Sequence, residues 1–281
     1  MRYALRALPA LAAVTLILTP GVTEATVVLA PPGTVGTVAD AWSATDPGTA
    51  GWFYGDIRAT GTVGTTTTYD RTSGEAAGSF PASLGSLEYN LSGSADKAGF
   101  NQYFATPWAL SDLDGAGYDW YRDSSSTNSN VQAPALFFQF DSDGDTGTGG
   151  DTYGIKYEPI YNGVGPVMPT DAWQTAAIGG TTNLWSWNAP GDTFDFGLDL
   201  NYWKSTYPSA VVTWMGVDTG SGWAGQFTGA VDFVIVDRTG TANDQFFDFQ
   251  VVPEPSRAVL FAMCLAGVGL VRRRAHPRAV A

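Results

Sequence analysis

The stretch that decides the fold is Ala135-Leu136-Phe137-Phe138-Gln139-Phe140-Asp141-Ser142-Asp143-Gly144-Asp145. Its first six residues are apolar at both odd and even positions, with Gln139 as the exception. A strand built from them buries both faces, which suits the centre of a sheet rather than its edge. The Asp, Ser and Gly that follow supply turn geometry and end it.

Working outward, similar strand-length runs recur between turn signals at residues 52–57, 87–91, 118–121, 153–160, 183–187, 211–217, 231–236 and 246–251. Residues 231–236 resemble 135–140 in being apolar on both faces. Residues 65–68 and 124–130 are short polar tracts that read as loops. A helical pattern occurs once, at 198–207, with Leu198, Tyr202 and the stem of Lys204 on one side and Pro208 as its stop. Charged residues make up 15% of the chain, aromatics 13%, and there are 34 glycines. An ordinary domain carries about 25% charge. This pattern predicts an all-β fold, a two-sheet β-sandwich of the jelly-roll type. No repeat of 20–50 residues and no Pro-rich linker divides it, which argues one domain over 26–252.

That body holds 25 of the chain's 27 acids and seven of its 14 bases, a formal charge of −18. A domain so acidic, without a basic stripe, is not built for nucleic acid. The single cysteine, Cys264, and the single histidine, His276, both lie beyond the body. Internal disulfides, thiolate or imidazole metal sites and His-based triads are therefore excluded there. Catalysis in the body would need carboxylates, Tyr, Lys or a bound ion.

The two ends read as addresses. Arg2 and Arg6, the apolar run 7–18, the Thr19-Pro20-Gly21 break and small residues at Thr23 and Ala25 make 1–25 a secretory signal peptide, cut by signal peptidase after Ala25. At the other end Pro253-Glu254-Pro255 precedes an apolar run, 258–271, and then Arg272-Arg273-Arg274. The prolines favour an extended approach. The apolar run forms a helix in lipid, and the arginines hold its far side in the cytoplasm. Fourteen helical residues span about 21 Å, short of a hydrocarbon core of about 30 Å. The helix must therefore borrow Ser256, snorkel Arg257 or thin the bilayer.

Those three elements in order resemble the PEP-CTERM sorting signal, over about the last thirty residues. The resemblance implies processing by an exosortase near Pro253-Glu254-Pro255, in a Gram-negative bacterium that makes exopolysaccharide. It also implies a transient stay at the inner membrane before release to the cell surface or beyond. Seven residues follow Arg274, where the family usually stops sooner. Within the body, Gly216-Val217, Gly220-Ser221-Gly222-Trp223 and Gly229-Ala230-Val231-Asp232 resemble the end of jelly-roll domains in exported bacterial proteins with this tail. That resemblance implies a carbohydrate-binding-like scaffold.

Two sets of body residues are candidates for chemistry. Asp141, Asp143, Asp145 and Asp151 follow the central strand at a spacing that lets carboxylates converge on one hard cation, and calcium accepts irregular oxygen cages. The pattern resembles the start of an EF-type loop, but with Gly144 fourth rather than sixth and Thr152 in the twelfth place. The same Asp and Gly residues also suit a plain hairpin loop. Asp112 and Asp114 are a weaker pair of the same type. Ten tryptophans lie in the body, and an indole face can stack on a sugar ring. Trp185 and Trp187 share a strand face, as do Tyr118 and Trp120. Trp223, after a Gly-rich turn, is the tryptophan expected to be exposed and to bind glycan. Glycoside hydrolysis would need two carboxylates at a defined separation; Glu75, Glu88, Glu158 and the body's aspartates permit it without marking a pair. The leading expectation is a non-catalytic exported surface or matrix protein whose body binds polysaccharide or contributes structure. The alternatives are a carboxylate-dependent glycan-processing enzyme and a calcium-stabilised adhesin or structural protein.

Overall fold

The computed structural model describes residues 26–30, 51–69, 85–147, 151–188, 196–220, 222–240 and 244–251. Among them the chain forms two sheets. Six strands build an antiparallel sheet in the order β10 (Trp185–Trp187), β8 (Thr152–Tyr157), β7 (Ala135–Asp141), β11 (Val211–Gly220), β5 (Lys97–Ala109) and β2 (Gly51–Arg58). The doubly apolar run expected at a sheet's centre is β7, between β8 and β11.

The second sheet is organised around β12 (Phe227–Arg238). Along one side β12 pairs with β6 (Leu113–Arg122), which pairs with β9 (Gln174–Ile178). Along the other it pairs first with β4 (Ser86–Leu91) and then with β13 (Gln245–Val251). The last two strands, β3 (Thr62–Thr66) and β1 (Thr26–Ala30), flank β4 and β13; β1 runs parallel, every other pairing antiparallel. The body is a two-sheet β-sandwich.

Alternation along each strand sends one set of side chains between the sheets. Leu136, Phe138 and Phe140 of β7, Ile155 and Tyr157 of β8, and Val212, Met215 and Val217 of β11 are buried there against Leu87, Tyr89, Trp120, Val231 and Phe249. Tyrosines tie the layers with their polar tips: Tyr89 Oη donates to the Val217 carbonyl at 3.1 Å. The doubly apolar β12 bends at Phe233, where φ is +48° and the pairing with β6 shifts. The buried carboxylate of Asp232 pins that bulge by accepting from the amides of Phe233 and Phe249 at 2.9 and 3.1 Å.

Several expectations change. The helix is shorter, α1 (Leu200–Thr206), capped by the Asp199 carboxylate on Tyr202 N at 2.8 Å. It buries Leu200 and Trp203, while Tyr202 faces out. The indole of Trp203 donates to the Leu184 carbonyl at 2.8 Å, which fixes that rotation. Thr65 and Thr66, read as loop, belong to β3, and Thr65 is buried. Tyr118 and Trp120 do share a face, but it is the core face. Residues 1–25, 70–84 with Glu75, and 252–281 with the PEP-CTERM-like tail and its apolar run lie outside the described residues. Among the described residues no helix is long and apolar enough to cross a membrane.

Candidate functional site

The residues with chemistry gather on the outer face of the six-stranded sheet, turned away from the core. Register aligns them strand by strand. Trp187 opposes Gly154, which opposes Gln139, which opposes Trp214, which opposes Tyr103. One row over, Trp185 opposes Lys156, then come Phe137, Gly216 and Asn101. Trp185, Trp187 and Tyr103 are half-buried. Trp187 packs edge-on against Phe137 at 5.7 Å and lies 6.1 Å from Trp185, while Trp214 meets Tyr103 edge-on at 5.9 Å. Two glycines make this possible. A Cβ on Gly154 would fall inside the Trp187 indole, and one on Gly216 would overlap Asn101 Oδ1 and sit 2.7 Å from Phe137 Cζ.

Beneath and beside these rings runs a chain of alternating charges. Lys156 Nζ contacts both oxygens of Asp218, at 2.9 and 2.7 Å. Lys97 Nζ reaches Asp218 at 3.3 Å and also pairs with Asp56. Arg58 Nε meets Asp56 at 2.6 Å. Asp56, Lys97, Lys156 and Asp218 are all buried. Asp56 enters this face because β2 bulges between Gly55 and Arg58, with Asp56 at φ +53°. Burial pushes the Asp218 carboxyl up, but Lys156 and Lys97 outweigh it and hold it below the ordinary range. Burial pulls the Lys97 ammonium down. Lys156 also lies 5.4 to 5.7 Å from the centres of the Trp185, Phe137 and Trp187 rings. Glu158 continues the row; burial pushes its carboxyl up, Asp218 adds to that, and Lys156 and a hydrogen bond with Trp185 oppose it.

Asn101, Gln139, Asp56 and Asp218, with Gly99, Trp214 and Phe137, line a space of about 10 Å³, room for about one water. Asn101 is 2% exposed, and its Oδ1 has no hydrogen-bond partner among the described residues. A buried acceptor without a donor is costly and uncommon.

The calcium candidates come together in part. Carboxylate oxygens of Asp141, Asp143 and Asp151 lie within 4.8 Å of one another, and Asp145 is not among them. Asp145 instead accepts from Gly147 N at 3.1 Å, within its own turn. Burial pushes the Asp141 carboxyl up, and the charges of Asp151 and Asp143 add to it while the Gly144 amide opposes it. Asp151 Oδ1 is buried without a partner among the described residues. A hard cation fits such a donor set, with further oxygens from the loop or water. Asp114 goes elsewhere, 3.7 Å from Lys204 and hydrogen-bonded to Thr239.

Trp223 is half-buried, packed edge-on against Phe227 at 5.1 Å and against the core. It follows the far end of β11, whereas Asp141 pairs with Val211 at the near end. Nine residues of strand, about 30 Å, separate the two, so they do not form one site. Of the tryptophan signals, the shared face of Trp185 and Trp187 is the one that leads to the site. Lys97, Asn101 and Asp56 went unmarked, because β5 reads poorly as a strand and Asp56 is re-aimed by a bulge.

No protein-family model and no curated protein matches the chain. Among solved structures, the family 11 carbohydrate-binding module of the cellulosomal cellulase Lic26A-Cel5E of Clostridium thermocellum is 13% identical, over 79% of this chain and 99% of that one, with a TM-score of 0.35. The family 11 module from the same organism in complex with a β-1,3-1,4-mixed-linked tetrasaccharide is 12% identical, over 80% and 99%, with a TM-score of 0.34. An exo-β-agarase is 13% identical over 72% of this chain and 24% of that one, with a TM-score of 0.32. At such low similarity none of them fixes this chain's ligand or chemistry.

Proposed function

We propose that this is an exported, non-catalytic surface or matrix protein whose body, a sandwich of the jelly-roll type, binds polysaccharide across the outer face of its six-stranded sheet. The observation that carries the binding is the pair of half-buried indoles of Trp185 and Trp187, seated on Gly154 and the buried Phe137 ring, with half-buried Tyr103 packed on the buried Trp214 further across the same face. Aromatic surfaces next to hydrogen-bonding groups suit the apolar and hydroxyl faces of sugar rings. Buried ion pairs hold Asp56 and Asp218, which argues against their serving as an acid and a base.

The test is affinity electrophoresis of the full-length chain, purified in mild detergent, through gels containing the host's own exopolysaccharide. Retardation that is lost in Trp187→Ala and kept in Trp223→Ala supports the reading. Unretarded migration of the wild type, or retardation undiminished in Trp187→Ala, sinks it. Sorting rests on the sequence of the tail, Pro253-Glu254-Pro255 through Arg272-Arg273-Arg274. Pulse labelling in a host with an exosortase is expected to show the tail removed; a chain retained at full length would contradict it.

A further inference from the structure

Resting on that reading, we infer that the binding face continues past its edge strand onto the stacked rings of Tyr161 and Phe196, so that its ligand is a run of several linked sugars and not a single terminal one. Those two rings lie 4.0 Å apart and 24° from parallel. Phe196 lies 6.0 Å from Trp185, which lies 6.1 Å from Trp187, so the four rings follow one another in series. The series is elongated along β8. Trp187 is level with Gly154 and Trp185 with Lys156, while Tyr161 belongs to the 3-10 turn Pro159–Asn162 that follows the strand. A pyranose is about as large as one of these rings, so one sugar cannot cover all four. The fold has little use for the outer pair. Tyr161 and Phe196 are 38% and 36% exposed, and neither belongs to the core. The Tyr161 turn is nevertheless held in place. Asn162 Nδ2 donates to the carbonyls of Glu158 and Asn183, each at 3.1 Å, and Asn162 Oδ1 accepts from Asn183 N at 3.0 Å. An exposed ring on a backbone already fixed loses little freedom when a ligand lies on it. Burial and the charge of Glu158 push the Tyr161 hydroxyl up, so the phenol stays protonated and donates to a sugar oxygen at the end of the series. Continuity with Trp185 assigns the occupant: a chain stacked on the two indoles runs on over Phe196.

The test uses the full-length chain in gels of the host's exopolysaccharide, with sized fragments of the same polymer, released by partial acid hydrolysis, as competitors. Tyr161→Ala and Phe196→Ala should each weaken retardation about threefold to tenfold, the loss of roughly one ring contact, with the melting temperature unchanged. Phe196→Tyr, which keeps the ring, should bind as the wild type does. Tyr202→Ala removes an exposed ring that meets Trp203 instead, and it should also leave binding intact. Single sugars should fail to compete, and competition should strengthen with fragment length. Should a variant fail to fold, the dependence on fragment length in the wild type decides the matter. Retardation undiminished in the Tyr161→Ala, Phe196→Ala double variant, or full competition by a single sugar, overturns the inference and leaves the glycan-binding reading standing. So does a shift from oligomer to monomer in that double variant on sedimentation, which would give the stacked pair to a second copy of the chain. No retardation of the wild type overturns both.

Discussion

Lys156 and Asp218 meet across an intervening strand. Lys156 Nζ, on β8, lies 2.9 and 2.7 Å from the two carboxylate oxygens of Asp218, on β11, with β7 running between them. The same carboxylate also receives Lys97. Removing Asp218 would leave two buried ammonium groups short of a partner. Asp218→Ala should therefore cost about 3–5 kcal/mol. Adding Lys156→Met removes one of those charges, so the double variant should be more stable than Asp218→Ala alone. Urea unfolding of the three proteins checks this. Additive losses would mean that the two groups do not act as a pair.

Gly154 offers a way to disturb the aromatic face without removing a ring. Any side chain there collides with the Trp187 indole, which must tilt off the sheet. The Gly154→Ala variant should lose much of its polysaccharide retardation while keeping all ten tryptophans. Tryptophan fluorescence reports the displaced ring, and electrophoresis reports the binding. A displaced ring with undiminished binding would remove Trp187 from the site.

Asp96 predicts how the fold responds to acid. Its buried carboxylate closes the turn between β4 and β5 by accepting from the amides of Thr60, Ser92 and Gly93, at 2.9, 2.6 and 3.2 Å, and from the hydroxyls of Thr60 and Ser92. Burial pushes the group up, but these hydrogen bonds outweigh it and hold its pKa at about 2, against 3.8 ordinarily. A folded value below the unfolded one means that the unfolded chain binds the proton first. The stability Asp96 contributes is then fully present above about pH 4 and is lost as pH falls through about 2. Asp218 acts with the same sign. Asp96→Asn should lower stability near neutrality and flatten its dependence on pH between 4 and 2. Urea midpoints across that range give the slope; an unchanged slope would mean the carboxylate is not the source.

The sequence made the sandwich legible because its strands are marked twice, by doubly apolar cores such as 135–140 and by Asp and Gly at their ends. The site was legible only through Trp185 and Trp187, whose spacing of two fixes a shared face. β5 escaped because Lys97, Gly99, Asn101 and Pro107 break its apolar pattern, and three of those four residues serve the outer face rather than the core. Asp56 escaped for a different reason: alternation assigns a side chain to a face, and a bulge reverses the assignment. Trp223, expected to be exposed after its glycine-rich turn, is half-buried like Trp185 and Trp187, with its indole edge-on to Phe227.

The Asp141 loop yields the last prediction. Asp141, Asp143 and Asp151 bring carboxylate oxygens within 4.8 Å of one another at the end of the outer face, and like charges so placed repel. The loop relieves part of this with its own amides: Gly144 N donates to Asp141 and Asp145 N to Asp143, each at 2.8 Å. Asp151 Oδ1, buried and without a donor among the described residues, is left for a cation. Calcium at a hundredfold excess over Kd should therefore stabilise the fold by about 2.7 kcal/mol and raise its melting temperature, and a chelator should reverse the rise. Asp151→Asn should abolish the response, whereas Asp145→Asn, outside the converging set, should retain it. Equal loss in both would restore Asp145 as a ligand. No calcium response in the wild type would leave the three carboxylates as a solvated turn, and polysaccharide binding at the Trp187 face would then be expected to be indifferent to chelator.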